Sequence, residues 1–296
     1  MMSGQEGTDK YFDAIMELQG VDEFKTMVQR LRKFQQNKEI HSIPNVTLPN
    51  YLWIFKRGGG VTTSINAFSE YLHATKIIKF AGVVKYFEFI PAYMPPDAHF
   101  SELTRLNNTI SMIAGHYRHY RGIACIIIDE WIGHVNETNF YKLLDYIENH
   151  IDNILTVFCV HSEDKRIVEQ IESSISSYMR FESIMFRFPD AKELANYMEV
   201  KYFSPCNFSL TEDAKLSLME LIDKMCAGKN FNGFVTIKQL SNDILYYLLT
   251  SNLAGKNISA EMLSEFNKNS IYIKRIKTLA ERDSIIGFGQ KMELSK

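Results

Sequence analysis

The sequence has few cysteines and no excess charge of either sign. Its four cysteines are far apart and form no CxxC pair, so neither a disulfide framework nor a zinc-ligand pattern is predicted. They are Cys125, Cys159, Cys206 and Cys226. The 33 Lys and Arg residues nearly balance the 35 Asp and Glu residues, for a formal net charge of −2. Because this charge gives no overall basic field, we expect neither nucleic acid nor an anionic membrane as the partner.

Long hydrophobic runs are also missing. No apolar run approaches the roughly 18 residues that span a bilayer as a helix, and the polar start, MMSGQEGTDK, lacks the apolar segment of a signal peptide. Hydrophobic residues make up 46% and charged residues 23% of the chain, which is ordinary for a globular protein. The sequence therefore predicts a cytoplasmic protein with reduced thiols.

Apolar, strand-like runs alternate with segments of helical periodicity in the first two thirds of the chain. The runs are YLWIF (51–55), KYFEFI (85–90), GIACIIID (122–129), LTVFCV (155–160) and SIMFRF (183–188). After the first run, for example, Ile65, Phe68 and Leu72 fall on one helical face. This alternation predicts right-handed βαβ units and an open, five-stranded parallel sheet.

The pattern changes to helices alone after Pro189. Asp190 with Glu193, and Ser209 with Glu212, have the spacing of an N-cap and its capping box. We expect three regions: an α/β domain at 1–189, a helical domain at 190–250, and a polar, partly helical tail at 251–296.

The segment IFKRGGGVTTS (54–64) has the outline of a phosphate-binding loop. In such a loop, backbone N–H groups surround the phosphates, a lysine reaches the β and γ oxygens, and a hydroxyl holds Mg²⁺. Gly58 and Gly60 fit the backbone part and Thr62 fits the metal hydroxyl, but Val61 stands where the lysine is expected. A charged hydrogen bond contributes about 1.5–3 kcal/mol, so its loss predicts nucleotide binding weakened by about tenfold to a hundredfold and a larger loss in phosphoryl transfer. A glycine turn that leads into an ordinary helix is the alternative.

A second motif follows the third strand-like run, where Ile126–Ile128 end in Asp129 and Glu130. This is the Walker B pattern, in which the aspartate orients hydrated Mg²⁺ and the glutamate orients and polarises the attacking water. Ligands of open parallel sheets bind at the carboxyl ends of the strands. Together with the glycine loop, the two carboxylates predict a nucleotide site at that edge.

With these motifs the sequence resembles the AAA+ ATPases, specifically the CbxX/CfxQ branch that includes red-type rubisco activase and a sporulation stage V protein. The resemblance covers about residues 11–265 and implies an AAA+ P-loop NTPase fold, with a C-terminal helical lid domain. The matching segments are YFDAIMELQGVDEFKTMVQRL beside the adenine pocket, LPNYLWIFKRGGGVTT as strand and P-loop, IIIDE as Walker B, LTVFCVHSED as the sensor-1 strand, SYMRFESIMFRFPDAKEL with the arginine finger, and FNGFVTIKQLSNDIL in the lid.

The resemblance also implies a role for individual residues. The implied nucleotide-binding residues are Gly20, Val21, Gly58, Gly59, Gly60, Val61, Thr62, Thr63 and Ser162; the implied Mg²⁺ ligands are Thr62 and Asp129; the implied catalytic residues are Glu130 and Arg180. Arg166 and Arg187 are alternatives for the arginine finger. His161, at the end of the fourth run, either touches the ligand or caps its strand.

Two departures from the family pattern each remove a positive charge from the expected nucleotide site. Val61 replaces the P-loop lysine and Val235 replaces the sensor-2 arginine, so two cations that would contact phosphate within this subunit are missing. Asp129, Glu130 and Arg180 remain. Because AAA+ subunits place the arginine finger in a neighbour's site, a subunit without its own site can still complete another's.

The expected function is therefore that of a degenerate AAA+ ATPase-like subunit, deficient in hydrolysis. It would act as a structural or regulatory partner of an active AAA+ paralogue or another protein, in a homo- or hetero-oligomer, with ATP or ADP and Mg²⁺ bound weakly or not at all. One alternative is an active Mg²⁺-dependent ATPase that remodels a protein partner, with Lys56 or Arg57 in place of the lysine. The other is a sensor that binds ATP without turnover.

Overall fold

The computed structural model describes residues 3–41, 48–56, 58–77, 122–128, 137–149, 154–162, 164–228, 231–251 and 256–269. These residues belong to two compact units, which divide between Phe188 and Pro189. No helix among them combines the length and the apolar character that a membrane crossing requires. The predicted domain limits at 190–250 and 251–296 stay predictions.

The first unit contains five described helices and four described strands. The helices are α1 (Ser3–Met16), α2 (Asp22–His41), α3 (Val61–Thr75), α4 (Glu137–Glu148) and α5 (Lys165–Ser176), and the strands are β1 (Asn50–Phe55), β2 (Gly122–Ile128), β3 (Ile154–His161) and β4 (Phe181–Phe186). The sequence placed the last strand two residues later than the structure does. The candidate strand at 85–90 and the helical pattern after it lie outside the described residues.

The four strands form a parallel sheet in the order β2-β3-β1-β4, which confirms the predicted α/β class with a parallel sheet. β1 lies between two neighbours, and all six of its residues are buried. A strand covered on both faces reads as a continuous apolar run, which explains the YLWIF segment. Because the strands are parallel, their carboxyl ends share one edge of the sheet.

The two faces of the sheet pack against different side chains. On one face, Trp53 of β1 packs with aromatic rings of α2 and β4, with ring centroids 5.2 Å from Phe24 and 4.9 Å from Phe186. On the other face, Leu52 and Ile54 join a cluster that includes residues of α4 and α5. Successive side chains of a strand point to opposite faces, so β1 supplies the middle of both cores.

Asn50 connects the amino ends of three strands. Its side chain is buried, and its Oδ1 accepts a hydrogen bond of 2.9 Å from the Thr156 N–H of β3. Its backbone N–H donates to the carbonyl of Arg180, just before β4, over 3.1 Å. Its Nδ2 lies 3.1 Å from Met179 Sδ. One amide side chain thus satisfies a buried backbone donor of a neighbouring strand.

The second unit is mainly helical. Its elements are helix α6 (Ala191–Met198), a π-helical turn (Glu199–Phe203), a 3₁₀ turn (Ser204–Cys206), strand β5 (Ser209–Leu210), helix α7 (Glu212–Cys226), helix α8 (Gly233–Thr250), strand β6 (Asn257–Ile258) and helix α9 (Ala260–Asn269). The short strands β5 and β6 pair in parallel.

The capping predictions for this unit were right at one helix and wrong at the other. Asp190 and Glu193 form the predicted capping box of α6. Ser209 does not cap α7, because it lies in β5, opposite Asn257. The N-cap is Thr211, in extended conformation, whose side chain accepts from the N–H of Ala214. The cap must directly precede the first turn, and that turn begins at Glu212.

We expect Thr156→Val to stabilise the protein by about 1 kcal/mol. The side chain of Thr156 is fully buried in β3, and its hydroxyl has no hydrogen-bond partner among the residues that the structure describes. Removing an unsatisfied buried hydroxyl recovers its desolvation cost. Thr75→Val is the matched control, since that hydroxyl donates to the Tyr71 carbonyl over 2.8 Å; it should lose stability in urea unfolding. A loss at both positions would contradict the prediction.

We expect stability to fall as the pH rises above 10, in part through Tyr71. Burial raises the pKa of Tyr71 from 10.0 to about 12, against a smaller opposing effect of Arg32. The unfolded chain therefore releases this proton before the folded chain does, and stability present below pH 10 is lost towards pH 12. Tyr71→Phe should flatten the dependence of the urea midpoint on pH in this window. An unchanged slope would contradict the assignment.

Candidate functional site

The turn between β1 and α3 contains three consecutive glycines. Gly58 and Gly60 have φ of 73° and 82°, a left-handed backbone that side chains with a Cβ rarely adopt. The N–H of Gly59 donates to the Lys56 carbonyl over 2.9 Å. A Cβ on Gly59 would lie 2.8 Å from that same oxygen, closer than real Cβ contacts. The backbone of this turn thus favours glycine at all three positions, and most strongly at Gly59, where a Cβ would clash with a backbone oxygen.

The turn leads directly into the amino end of α3, where the first backbone N–H groups of the helix lie. Gly60 is the N-cap and makes no side-chain capping bond, while its carbonyl accepts from Ser64 N–H over 3.0 Å. The N–H groups of the first turn, at Val61, Thr62 and Thr63, have no partner within the helix. Such groups and the helix dipole favour an anion. The side chains of both threonines are exposed, so they are accessible to a ligand.

The side chain at the lysine position belongs to the hydrophobic core. Val61 is 7% exposed and is part of the core cluster on the α1–α3 face of the sheet, together with Phe24 and Phe68. The turn therefore offers backbone donors but no cationic side chain from the first residue of α3. The backbone N–H groups fit a phosphate group, whereas the side chain of Val61 cannot bind one.

Two predicted residues lie at the carboxyl end of β3, at the same edge as the glycine turn. His161 pairs with Phe55 across the strands, and their rings lie 4.0 Å apart at 65°. Ser162 is half-buried, and its hydroxyl accepts from the N–H of Asp164 over 3.1 Å. Asp164 in turn caps α5. The hydroxyl of Ser162 thus organises the start of α5, and its contact with a nucleotide stays a prediction.

The Walker B carboxylates, Asp129 and Glu130, lie outside the described residues, as does Arg57. The strand that leads to them is described: Ile128, the last residue of β2, pairs with Val160 of β3. β2 therefore ends at the same edge of the sheet as the glycine turn, with β3 between β2 and β1. Of the two predicted Mg²⁺ ligands, only Thr62 is described. Within the described ranges, no group of three His, Cys, Asp or Glu residues is arranged to hold a metal ion.

Arg180 lies at the opposite edge of the sheet. Its carbonyl bonds to Asn50, the first residue of β1, whereas the glycine turn follows Phe55, the last. Six residues of strand span about 17–20 Å, which is beyond the reach of an arginine side chain. Arg180 is exposed, so the structure allows it to contact another molecule but not its own glycine turn.

The alternative arginines have acidic neighbours. Arg187 lies 3.5 Å from Asp22 at the start of α2. Arg166 lies 3.7 Å from Asp164, and its side chain is largely exposed. Both arginines have the environment of surface charges.

Gly20 and Val21 form the connection between α1 and α2. Gly20 has a φ of 70°, and Val21 is 3% exposed within the same core cluster as Val61. Both residues therefore have a role in folding, and their predicted contact with adenine stays a prediction. In the second unit, Val235, the residue at the sensor-2 position of the resemblance, is exposed on α8.

Sequence reasoning did not find Asn50 or the turn bond at Lys56. The side-chain bond of Asn50 joins it to a backbone N–H that is distant in sequence. The turn bond depends on the direction of the Lys56 carbonyl, which a sequence does not encode. The only available signal for Asn50 was a polar residue at the start of an apolar strand.

No protein-family model matches the chain, and no curated protein sequence matches it. Among solved structures, it is similar to PCH-2 of C. elegans, with 12% identity and a TM-score of 0.47, covering 92% of this chain and 73% of that chain. It is also similar to a single-residue variant of RuvB from Thermotoga maritima, with 10% identity, a TM-score of 0.47, and coverage of 81% and 67%. A third is Drosophila ORC bound to GC-rich DNA and Cdc6, with 12% identity, a TM-score of 0.44, and coverage of 86% and 42%.

The fold of this chain is defined by its own geometry: a parallel sheet in which an internal strand passes through a glycine turn into a helix. This is the strand–loop–helix arrangement of P-loop α/β proteins.

Proposed function

We propose that this chain is a degenerate AAA+ ATPase-like subunit, without hydrolysis, that acts as a structural or regulatory partner in an AAA+ assembly. The observation that supports this most directly is the burial of Val61 in the hydrophobic core. The position that would supply the cation for the β and γ phosphates supplies packing for α3 instead. Val235 stands at the position of the sensor-2 arginine, and its side chain is apolar and exposed.

The chain's residues would act on a nucleotide through backbone N–H groups and one hydroxyl, without a cationic side chain from the first turn of α3. The N–H groups at the start of α3 would bind a phosphate, and the Thr62 hydroxyl would hold Mg²⁺. A bound Mg²⁺ supplies charge neutralisation at the phosphate oxygens. Without a lysine, the charge that develops in phosphoryl transfer has less compensation from this chain. Binding is therefore weakened less than turnover.

The position of Arg180 supports the partner role. An exposed arginine at the edge opposite the glycine turn cannot serve the site of its own chain, but it can enter the site of an adjacent subunit. In a mixed assembly, an active paralogue would then depend on Arg180 of this chain. The client protein would be remodelled by the assembly and not by this subunit alone.

A second candidate is a nucleotide sensor that binds ATP without turnover. The left-handed glycines and the three N–H groups without helical partners favour it, because they form an anion site without any side chain. The third candidate, an active ATPase, rests on Lys56, which is exposed at the start of the turn, or on Arg57.

Titration calorimetry with ATP and ADP in the presence of Mg²⁺, together with the molecular mass with and without nucleotide, tests the proposal. We expect weak binding at most, with a Kd of about a millimolar or higher, and no turnover. Micromolar binding without turnover would support the sensor. Turnover that Glu130→Gln abolishes would overturn the proposal in favour of the active ATPase.

A further inference from the structure

A cavity of about 230 Å³ lies between α2 and the amino ends of β1 and β4. It is at the edge of the sheet opposite the glycine turn, so it is distinct from the candidate nucleotide site. Its walls are mostly apolar and include Met27, Leu31, Phe34 and Leu48. For scale, an apolar cavity of about 150 Å³ binds benzene. This cavity therefore has room for a ring or a branched aliphatic group with a short polar extension.

One wall of the cavity carries a tyrosine. The side chain of Tyr51 is 1% exposed and lines the cavity. Burial, and then the Glu182 carboxylate, raise the pKa of Tyr51 well above its usual value, while Arg30 opposes them. The hydroxyl thus stays protonated at neutral pH and can donate. Because Tyr51 lines the cavity, a carboxylate in the cavity is a suitable acceptor for this hydroxyl.

The charged residues of the cavity leave one positive charge uncompensated. Arg30 and Glu182 form an ion pair with each other. Arg180, which also lines the cavity, makes no side-chain ion pair or hydrogen bond with the described part of the chain. Two arginines and one glutamate give the lining a net charge of +1. An anion is therefore the complementary ligand.

We propose that this cavity binds a small organic acid with an apolar body. The apolar body lies among Met27, Leu31 and Phe34, and the carboxylate accepts from the Tyr51 hydroxyl and the Arg180 guanidinium. A carboxylate matches both donors, because it accepts in two directions and arginine binds it through paired N–H groups. The site needs neither a nucleotide nor a second subunit, but it shares Arg180 with the proposed function, so it is tested on the isolated chain without nucleotide.

The test uses the full chain and 3-phenylpropionate as the probe in titration calorimetry, without nucleotide. For a ligand of this size we expect a Kd of about a millimolar or tighter. The neutral analogue 3-phenylpropan-1-ol should bind at least about tenfold more weakly, because it lacks the charge. Acetate, which lacks the apolar body, should give no saturable heat.

Two variants assign the site. Arg180→Gln should weaken 3-phenylpropionate about tenfold to a hundredfold, as for loss of a charged hydrogen bond, while Tyr51→Phe should weaken it several-fold. Arg166→Gln, another exposed arginine in the same unit, is the matched control and should leave the Kd unchanged. Thermal unfolding of each variant verifies that it is folded. No saturable binding at about 10 mM, or equal affinity in the parent and in Arg180→Gln, would overturn the proposal.

Discussion

We expect Val61→Lys to lower the free energy of unfolding by about 2–4 kcal/mol and to leave ATP turnover absent. Val61 is 7% exposed in a packed core, so the substitution removes buried apolar surface and introduces a charge that is costly to bury. Lysine would also lie at the amino end of α3, where the helix dipole disfavours a positive charge. Urea unfolding of the two proteins measures the difference.

Thr62→Lys is the matched control for this substitution. Thr62 is the next residue of the same helical turn, and its side chain is exposed. We expect its unfolding free energy to stay within about 0.5 kcal/mol of the parent. If Val61→Lys is as stable as this control, the new side chain has left the core for solvent. Nucleotide affinity should then rise, and the inference that folding opposes a lysine here would be wrong.

The second large effect is expected for Asn50→Leu, which should cost about 2–3 kcal/mol of unfolding free energy. Leucine has a similar size but cannot accept the hydrogen bond from Thr156 N–H, which is 2.9 Å long and buried. This donor would remain in the core without a partner, and the contact with Met179 Sδ would also be lost. The measurement is urea unfolding with intrinsic fluorescence.

Asn149→Leu separates the loss of a buried bond from a general effect of replacing asparagine. The side chain of Asn149 is exposed and donates to the Asp145 carbonyl over 2.8 Å, within its own helical end. We expect a change within about 0.5 kcal/mol. Equal losses at the two positions would refute the role of Asn50.

Arg180, whose carbonyl bonds to Asn50, should also be positioned less well in Asn50→Leu, so the affinity for 3-phenylpropionate should fall with stability.

Periodicity predicted the strands of the sheet well, because the central strands are buried on both faces and their apolar runs are continuous. YLWIF and LTVFCV are both within observed strands, β1 and β3. Helix starts were predicted less well: Ser209 and Thr211 are both good capping residues, and only the pairing of Ser209 with Asn257 in β5–β6 decides between them. That pairing joins segments far apart in sequence, which local patterns do not encode.

The candidate site was predictable where it depends on backbone conformation. Clustered glycines after an apolar strand indicated a tight turn, and Gly58 and Gly60 have the left-handed φ that such a turn needs. The inward direction of Val61 was not predictable, because it depends on how α3 packs against the sheet. The cavity beside Tyr51 was not predictable either, since α2 and the starts of β1 and β4 form it together.

The three glycines of the turn have a consequence for how such loops change over evolutionary time. Each favours the passage of the chain from β1 into α3, so selection for folding alone would tend to keep them even in a loop that binds no nucleotide. A lysine at position 61 has no such role, and an apolar residue there improves the core. The glycine spacing then indicates common ancestry and a turn that can fold, whereas the residue at position 61 indicates whether a lysine is present to bind the phosphates. A motif search that weights the glycines most heavily would therefore not separate loops that have lost nucleotide binding from loops that keep it.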